Sequence, residues 1–190
     1  MYSFFAYLSR MRYITRWNLM RNTMPEDIAQ HSLQVAMLAH GLAVIRRDVF
    51  HEPSDPERAT LLAVYHESGE TITGDLPTPI KYFSPEIRTA YASVEKVAEK
   101  RLLGMLPEEL KSEFAPLLHP EDEAMWPLVK AADRLSAYLK CVEELKAGNQ
   151  EFEKAYATIR RELEASPLPE VTYFMEKFEP AFHLTLDELN

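Results

Sequence analysis

Apolar residues recur at three- and four-residue intervals along most of this chain, and that spacing predicts a succession of helices. Phe4, Leu8 and Met11 set a first helix from about Ser3 to Ile14. Ile28, His31, Val35, Leu38, Leu42 and Ile45 set a second, from about Ile28 to Arg47, with His31 on its buried stripe and His40 off it. Met24-Pro25-Glu26-Asp27 reads as its start, with proline in the first turn and acids facing the positive end of the helix dipole. A third helix from near Glu57 brings Ala59, Leu62 and His66 to one face. Gly69, about 1 kcal/mol worse than alanine inside a helix, marks its end or a bend. Asp75 to Phe83 is expected to be a rigid loop, because Pro77 and Pro79 break regular helix. Ser84-Pro85-Glu86 then opens a long helix to about Met105, and Pro107 opens another that ends before His119-Pro120.

The helix expected from about Ala124 to Ala147 differs from the rest. Leu128, Ala131, Leu135, Tyr138, Val142 and Leu145 make one apolar stripe, while Val129, Ala132, Ser136 and Ala137 make a second, mostly small face that also carries Asp133. A helix apolar on two sides belongs in the middle of a bundle. Asp133 is then enclosed and needs a cation, a metal or hydrogen-bond donors. Gly148-Asn149 closes the helix. A helix over about Glu151 to Ala165, a Pro167-Leu168-Pro169 break, a short aromatic helix with Tyr173, Phe174 and Phe178, and an acidic tail from His183 to Asn190 complete the chain. No strand or repeat is evident, so the expected fold class is all-α, in a single domain spanning residues 1–190.

Composition narrows the function classes. With 190 residues, 46% hydrophobic and 27% charged, the chain is long enough to bury a substantial core. A net charge of −9 argues against a nucleic-acid polymer as partner. The single cysteine, Cys141, rules out an intramolecular disulfide and is expected to be buried. Arg10 and Arg12 interrupt the apolar N-terminus, and no apolar run reads as membrane-spanning, so the expected location is the cytoplasm.

Candidate chemistry gathers in Tyr65-His66-Glu67-Ser68-Gly69-Glu70-Thr71-Ile72-Thr73-Gly74-Asp75. If the helix continues through it, His66, Glu67 and Glu70 share roughly one face. Alone, this reads as an acidic helix end. Combined with His31 and Asp133, it offers two imidazoles and two carboxylates, a set that suits Mn, Co, Fe, Ni or Zn without choosing among them. A zinc-protease reading fails, because His-Glu-x-x-His requires histidine where Glu70 stands.

The blocks Ser9-Arg10-Met11 with Arg16-Trp17, Gln30-His31-Ser32-Leu33-Gln34, Tyr65-His66-Glu67 through Glu70, Thr73-Gly74-Asp75-Leu76-Pro77-Thr78-Pro79 with Lys81-Tyr82-Phe83, and Lys130-Ala131-Ala132-Asp133 with Ala137-Tyr138 occur in this order. In them the chain resembles the HD-domain phosphohydrolases, and within those the bacterial 5′-deoxynucleotidases. The resemblance implies a helical bundle, a homodimer, one divalent metal and hydrolysis of deoxyribonucleoside 5′-monophosphates. It implies metal ligation by His31, His66, Glu67 and Asp133, proton handling by Glu70, phosphate orientation by Arg16 (aided by Lys81), and Trp17 against the sugar. Asp75, Leu76, Pro77 and Thr78 would line the nucleotide pocket. Two positions depart from the family pattern: Glu67 stands where it has aspartate, and Gln30 where it often has glutamate. A triphosphate hydrolase or pyrophosphatase on the same fold, or a nucleotide-binding member impaired by Glu67, is the alternative.

Overall fold

The first helix is shorter than its apolar pattern: α1 spans Phe4–Leu8, and a separate 3-10 turn follows at Met11–Tyr13. The Ser9 hydroxyl donates to the Phe5 carbonyl at 2.8 Å, closing the last turn. Helix α2 (Ile28–Asp48) starts where Asp27 caps it, Oδ1 accepting from the N–H groups of Ala29 and Gln30, both at 2.9 Å. Pro25 and Glu26 therefore precede the helix rather than forming its first turn.

This computed structural model describes residues 1–81, 83–120 and 124–189; Tyr82, the Thr78 side chain and Asn190 at the end of the acidic tail lie outside the described residues. The remaining helices are α3 (Pro56–Tyr65), α4 (Glu70–Thr73), α5 (Thr78–Lys81), α6 (Pro85–Leu103), α7 (Glu108–Leu118), α8 (Trp126–Lys146), α9 (Glu153–Glu164) and α10 (Pro169–Lys177). No strand forms among the described residues; an isolated antiparallel bridge joins Thr15 and Asp27. The fold is all-α.

Helix α5 corrects the expectation of a loop through Asp75–Phe83. The Pro77 carbonyl accepts from Ile80 at 2.8 Å and from Lys81 at 3.0 Å. Both prolines sit at the start of this single turn, where a backbone N–H has no helical acceptor and its absence costs nothing.

The chain gathers into two compact units. One comprises Met1–Arg21, Pro25–Leu33 and the chain from Val64 through α7; the other comprises Asn22–Met24, Gln34–Ala63 and the chain from Ala124 onward. The first is centred on buried Phe4, Leu102, Leu106 and Leu118, with the Phe4 and Phe114 rings edge-on at 5.0 Å. The second is centred on α8, whose two apolar faces are both buried, Cys141 included. Within it the Tyr138 hydroxyl donates to Glu179 at 2.5 Å. The carboxylate of Glu144 accepts from Lys140 at 2.5 Å, Asn149 at 2.8 Å and the Thr23 hydroxyl at 2.7 Å.

Helix α2 is long and apolar enough to cross a membrane by length and composition, contrary to the sequence expectation. Of its most apolar window, 56% is buried inside the protein, including Val35, Ala39, Leu42 and Ala43. Core packing accounts for that apolarity.

Candidate metal centre

Helix α3 stops at Tyr65, one residue before His66. The Ser68 hydroxyl donates to the Tyr65 carbonyl at 2.6 Å, and the Thr71 hydroxyl donates to the Ser68 carbonyl at 2.7 Å. Past Tyr65 the chain turns until α4 begins at Glu70. Gly69 is not the cause: its φ is −59° with open space where a Cβ would sit, a conformation any residue adopts. The continuous helical face expected for His66, Glu67 and Glu70 is thus absent, and a tight turn collects them instead.

The His31 and His66 rings lie 5.3 Å apart between centroids, both fully buried. His66 Nε2 is 3.4 Å from Glu67 Oε1. His31, His66 and Glu67 each present one ligand atom, and these atoms lie within 4.8 Å of one another. Imidazole nitrogens and a carboxylate converging in a dry site are donors that fit a divalent transition metal. Asp133 lies in the other unit, half-buried on α8, on the face that also holds buried Val129, Ala132, Ser136 and Ala137.

Charge supports the same reading. Burial, reinforced by repulsion from Glu67 and a hydrogen bond with it, pushes the Glu70 carboxyl up to about 11. Asp75 is raised as well, by burial first and by Glu67, against the pull of Arg16. Glu70 lines a depression together with His66, Glu67, Thr73, Glu95 and Glu99. Glu95 and Glu99 in it pair with Lys81 at 2.7 Å and His119 at 2.8 Å, and a divalent cation would supply positive charge beside Glu67. A larger cavity, about 560 Å³ between α6 and α7, is lined by Lys96, Lys100, Pro116 and His119 and holds none of the sequence-predicted site residues.

Arg16 and Trp17 reach the first unit's site from the segment before α2. Trp17 has φ 55°, in the left-handed region that a bulky side chain rarely occupies. Its indole N–H donates to Glu26 Oε2 at 3.0 Å, while Arg16 Nε lies 3.5 Å from the same oxygen. The other carboxylate oxygen, Oε1, is 3.7 Å from His31 Nδ1. Burial alone would raise the Glu26 carboxyl; hydrogen bonding to His31 and the Arg16 charge outweigh it and hold the group below its ordinary value. Sequence reasoning missed Glu26 by assigning it to the helix dipole. The available signal was Asp27, which caps α2 by itself and leaves Glu26 without that task.

Gly74, at φ 72°, turns the chain into Asp75, whose carbonyl accepts from Asn18 at 3.5 Å. Leu76 and Pro77 follow, half-buried. The Lys81 ammonium pairs with Glu95 at 2.7 Å and sits 4.8 Å from the centre of the Tyr91 ring, both on α6.

This helical fold is that of the HD-domain phosphohydrolases. An HD-domain phosphohydrolase from Listeria innocua superimposes with a TM-score of 0.80, at 20% identity, over 95% of this chain and 88% of that one. The HD phosphohydrolase DatZ of cyanophage S-2L, solved bound to dA and one catalytic Zn²⁺ ion, gives 0.65 at 24% identity, over 95% and 96% of the two chains. The model of the YfbR-like 5′-deoxynucleotidase family matches residues 3–182, and the chain belongs to that family. A 5′-deoxynucleotidase of Cronobacter sakazakii is 52% identical over 98% of this chain and 95% of its own length. The Escherichia coli 5′-deoxynucleotidase YfbR is 51% identical over the same shares.

Proposed function

We propose that this protein hydrolyses deoxyribonucleoside 5′-monophosphates to deoxynucleoside and phosphate with one divalent transition metal. The convergence of His31, His66 and Glu67 beside the proton-bearing Glu70 carries this reading, in a chain that matches its family from residue 3 to 182. His31, His66, Glu67 and, as fourth donor, Asp133 would hold the metal, which when bound acidifies a water and neutralises phosphate charge. Arg16, its Nε turned toward Glu26, would grip the phosphate through its guanidinium. Glu70 would carry the proton that the departing 5′-oxygen needs, from a carboxyl that burial biases toward its protonated form. Trp17, held rigidly, sets the wall against which a 2′-hydroxyl is crowded. Asp75, Leu76, Pro77 and Thr78 border the nucleoside.

The monophosphate is favoured over the triphosphate because Lys81, the cation expected to help Arg16, is engaged with Glu95. A homodimer is part of the proposal: α6 exposes Ile87, Val94 and Val97 along one side, a face for a second copy. The lone cysteine fits work in the cytoplasm.

Phosphate release from all deoxy- and ribonucleoside monophosphates, across Co²⁺, Mn²⁺, Zn²⁺, Fe²⁺ and Ni²⁺, tests the function. Turnover of dAMP or dTMP well above AMP is the expected result. No release with any metal, or pyrophosphate or triphosphate release from dATP in preference, overturns it.

A further inference from the structure

Three residues assigned to different tasks meet on one side chain that none of those tasks accounts for. Glu26 is nearly enclosed, with 13% of its side chain exposed. One carboxylate oxygen takes the Trp17 indole N–H and faces Arg16 Nε; the other faces His31 Nδ1. Its backbone carbonyl also accepts from the Arg16 N–H at 2.9 Å. The strained backbone of Trp17 needs such an anchor, because a left-handed φ on a bulky residue persists only where surrounding contacts over-determine it.

We propose that Glu26 is a positioning residue that fixes the metal-binding ring of His31, the phosphate-binding edge of Arg16 and the sugar wall of Trp17 through one carboxylate. At 3.7 Å from His31 Nδ1, its charge favours the tautomer with the proton on that nitrogen, which leaves Nε2 for the ligand cluster. Facing Arg16 Nε at 3.5 Å, it orients the plane of the guanidinium that would meet the phosphate. Bonded to the indole, it holds a flat surface at a set depth in the pocket. Metal affinity, phosphate affinity and sugar discrimination are therefore coupled through this residue, which touches no reacting atom.

The inference rests on the function proposed above, and its test is arranged to fail separately. Glu26→Gln keeps an oxygen for the indole but removes the charge from His31 and Arg16; Glu26→Ala removes both. Each is made in a Trp126→Phe background, so that Trp17 is the only tryptophan of the original 2. Folding is checked by circular dichroism, and Co²⁺ affinity and Trp17 emission are read on the metal-free protein before any assay. Both variants are expected to bind Co²⁺ roughly 10- to 100-fold more weakly. Trp17 emission is expected to shift to the red only in Glu26→Ala.

With substrate, both should raise KM for dAMP more than they lower kcat at saturating metal. Only Glu26→Ala should narrow the dAMP-to-AMP ratio. Unchanged Co²⁺ affinity and unchanged Trp17 emission in folded Glu26→Ala overturn the positioning role. If the parent protein turns over no deoxynucleotide, the proposed function falls, while the metal and emission readings still decide the role of Glu26.

Discussion

His66 Nε2 and Glu67 Oε1 stand 3.4 Å apart at adjacent positions just past the end of α3. With His31, each offers one ligand atom within 4.8 Å of the others.

Glu67→Ala should lower bound metal per chain by at least roughly tenfold and abolish phosphate release, as loss of one donor from a small set does. Glu67→Asp, which introduces the residue usual in the family, should keep its metal. Elemental analysis of the purified proteins reads both directly. Full metal occupancy in the alanine variant would take Glu67 out of the ligand set.

Glu70→Gln should lower kcat by roughly 10²- to 10⁴-fold, the range for losing a positioned proton carrier, with metal content and deoxynucleotide binding intact. It has a second consequence in metal-free protein. Burial and Glu67 raise this carboxyl far above its ordinary value of 4.5, so the folded state favours its neutral form. Such a group lowers stability as pH rises above the unfolded value, because the unfolded chain ionises freely and the folded one does not. Replacing it with the permanently neutral amide should raise the Tm of the metal-free protein at pH 7. A variant with wild-type turnover would remove Glu70 from the chemistry.

Much of this was legible in the sequence because helical periodicity reports burial. The stripe through Ile28, Val35 and Leu42 placed His31 inside, and the small face of α8 placed Asp133 half inside. What periodicity does not encode is where a helix ends. Helix α3 ends at Tyr65, before His66, and the Ser68 and Thr71 hydroxyls bond carbonyls in the turn that follows, none of which apolar spacing marks. The role of Glu26 is unmarked for a related reason: the dipole of α2 is a chemically sensible local task for it, while Trp17 before it and His31 after it supply another.

Gly74 and Gly41 offer a paired test of backbone against packing. A Cβ at either would meet nothing within 4 Å, but Gly74 is at φ 72° while Gly41 lies inside α2. Gly41→Ala should stabilise by about 0.5–1 kcal/mol through helix propensity. Gly74→Ala should destabilise by about 1 kcal/mol or more, because alanine resists a positive φ, and should lower kcat/KM by moving Asp75. Urea denaturation of both variants reads the sign. Stabilisation by Gly74→Ala would show that the turn into Asp75 is not strained for an L side chain.

The acid limb of stability should depend on Glu144. Burial by itself would raise its carboxyl, but hydrogen bonds from Lys140, Asn149 and Thr23 prevail and hold it at about 2, below the ordinary 4.5. A depressed folded value means the stabilisation is complete above 4.5 and is lost as pH falls toward 2, where the folded carboxylate is at last protonated. By linkage this amounts to about 3 kcal/mol. Glu144→Gln should flatten the stability curve between those two pH values relative to wild type. At pH 7 it should cost about 3–5 kcal/mol, because Lys140 is left buried with its charge uncompensated. It should also free the Thr23–Met24 backbone, which the carboxylate grips directly ahead of Pro25 and Glu26. Urea melts of both proteins across this pH range make the comparison, with Asp48, Glu179 and Glu188, further depressed carboxyls of the same unit, common to both curves. Parallel curves would mean that the Glu144 carboxylate contributes nothing to the acid transition, and the tie between α8 and the segment leading to Glu26 would have to be sought elsewhere.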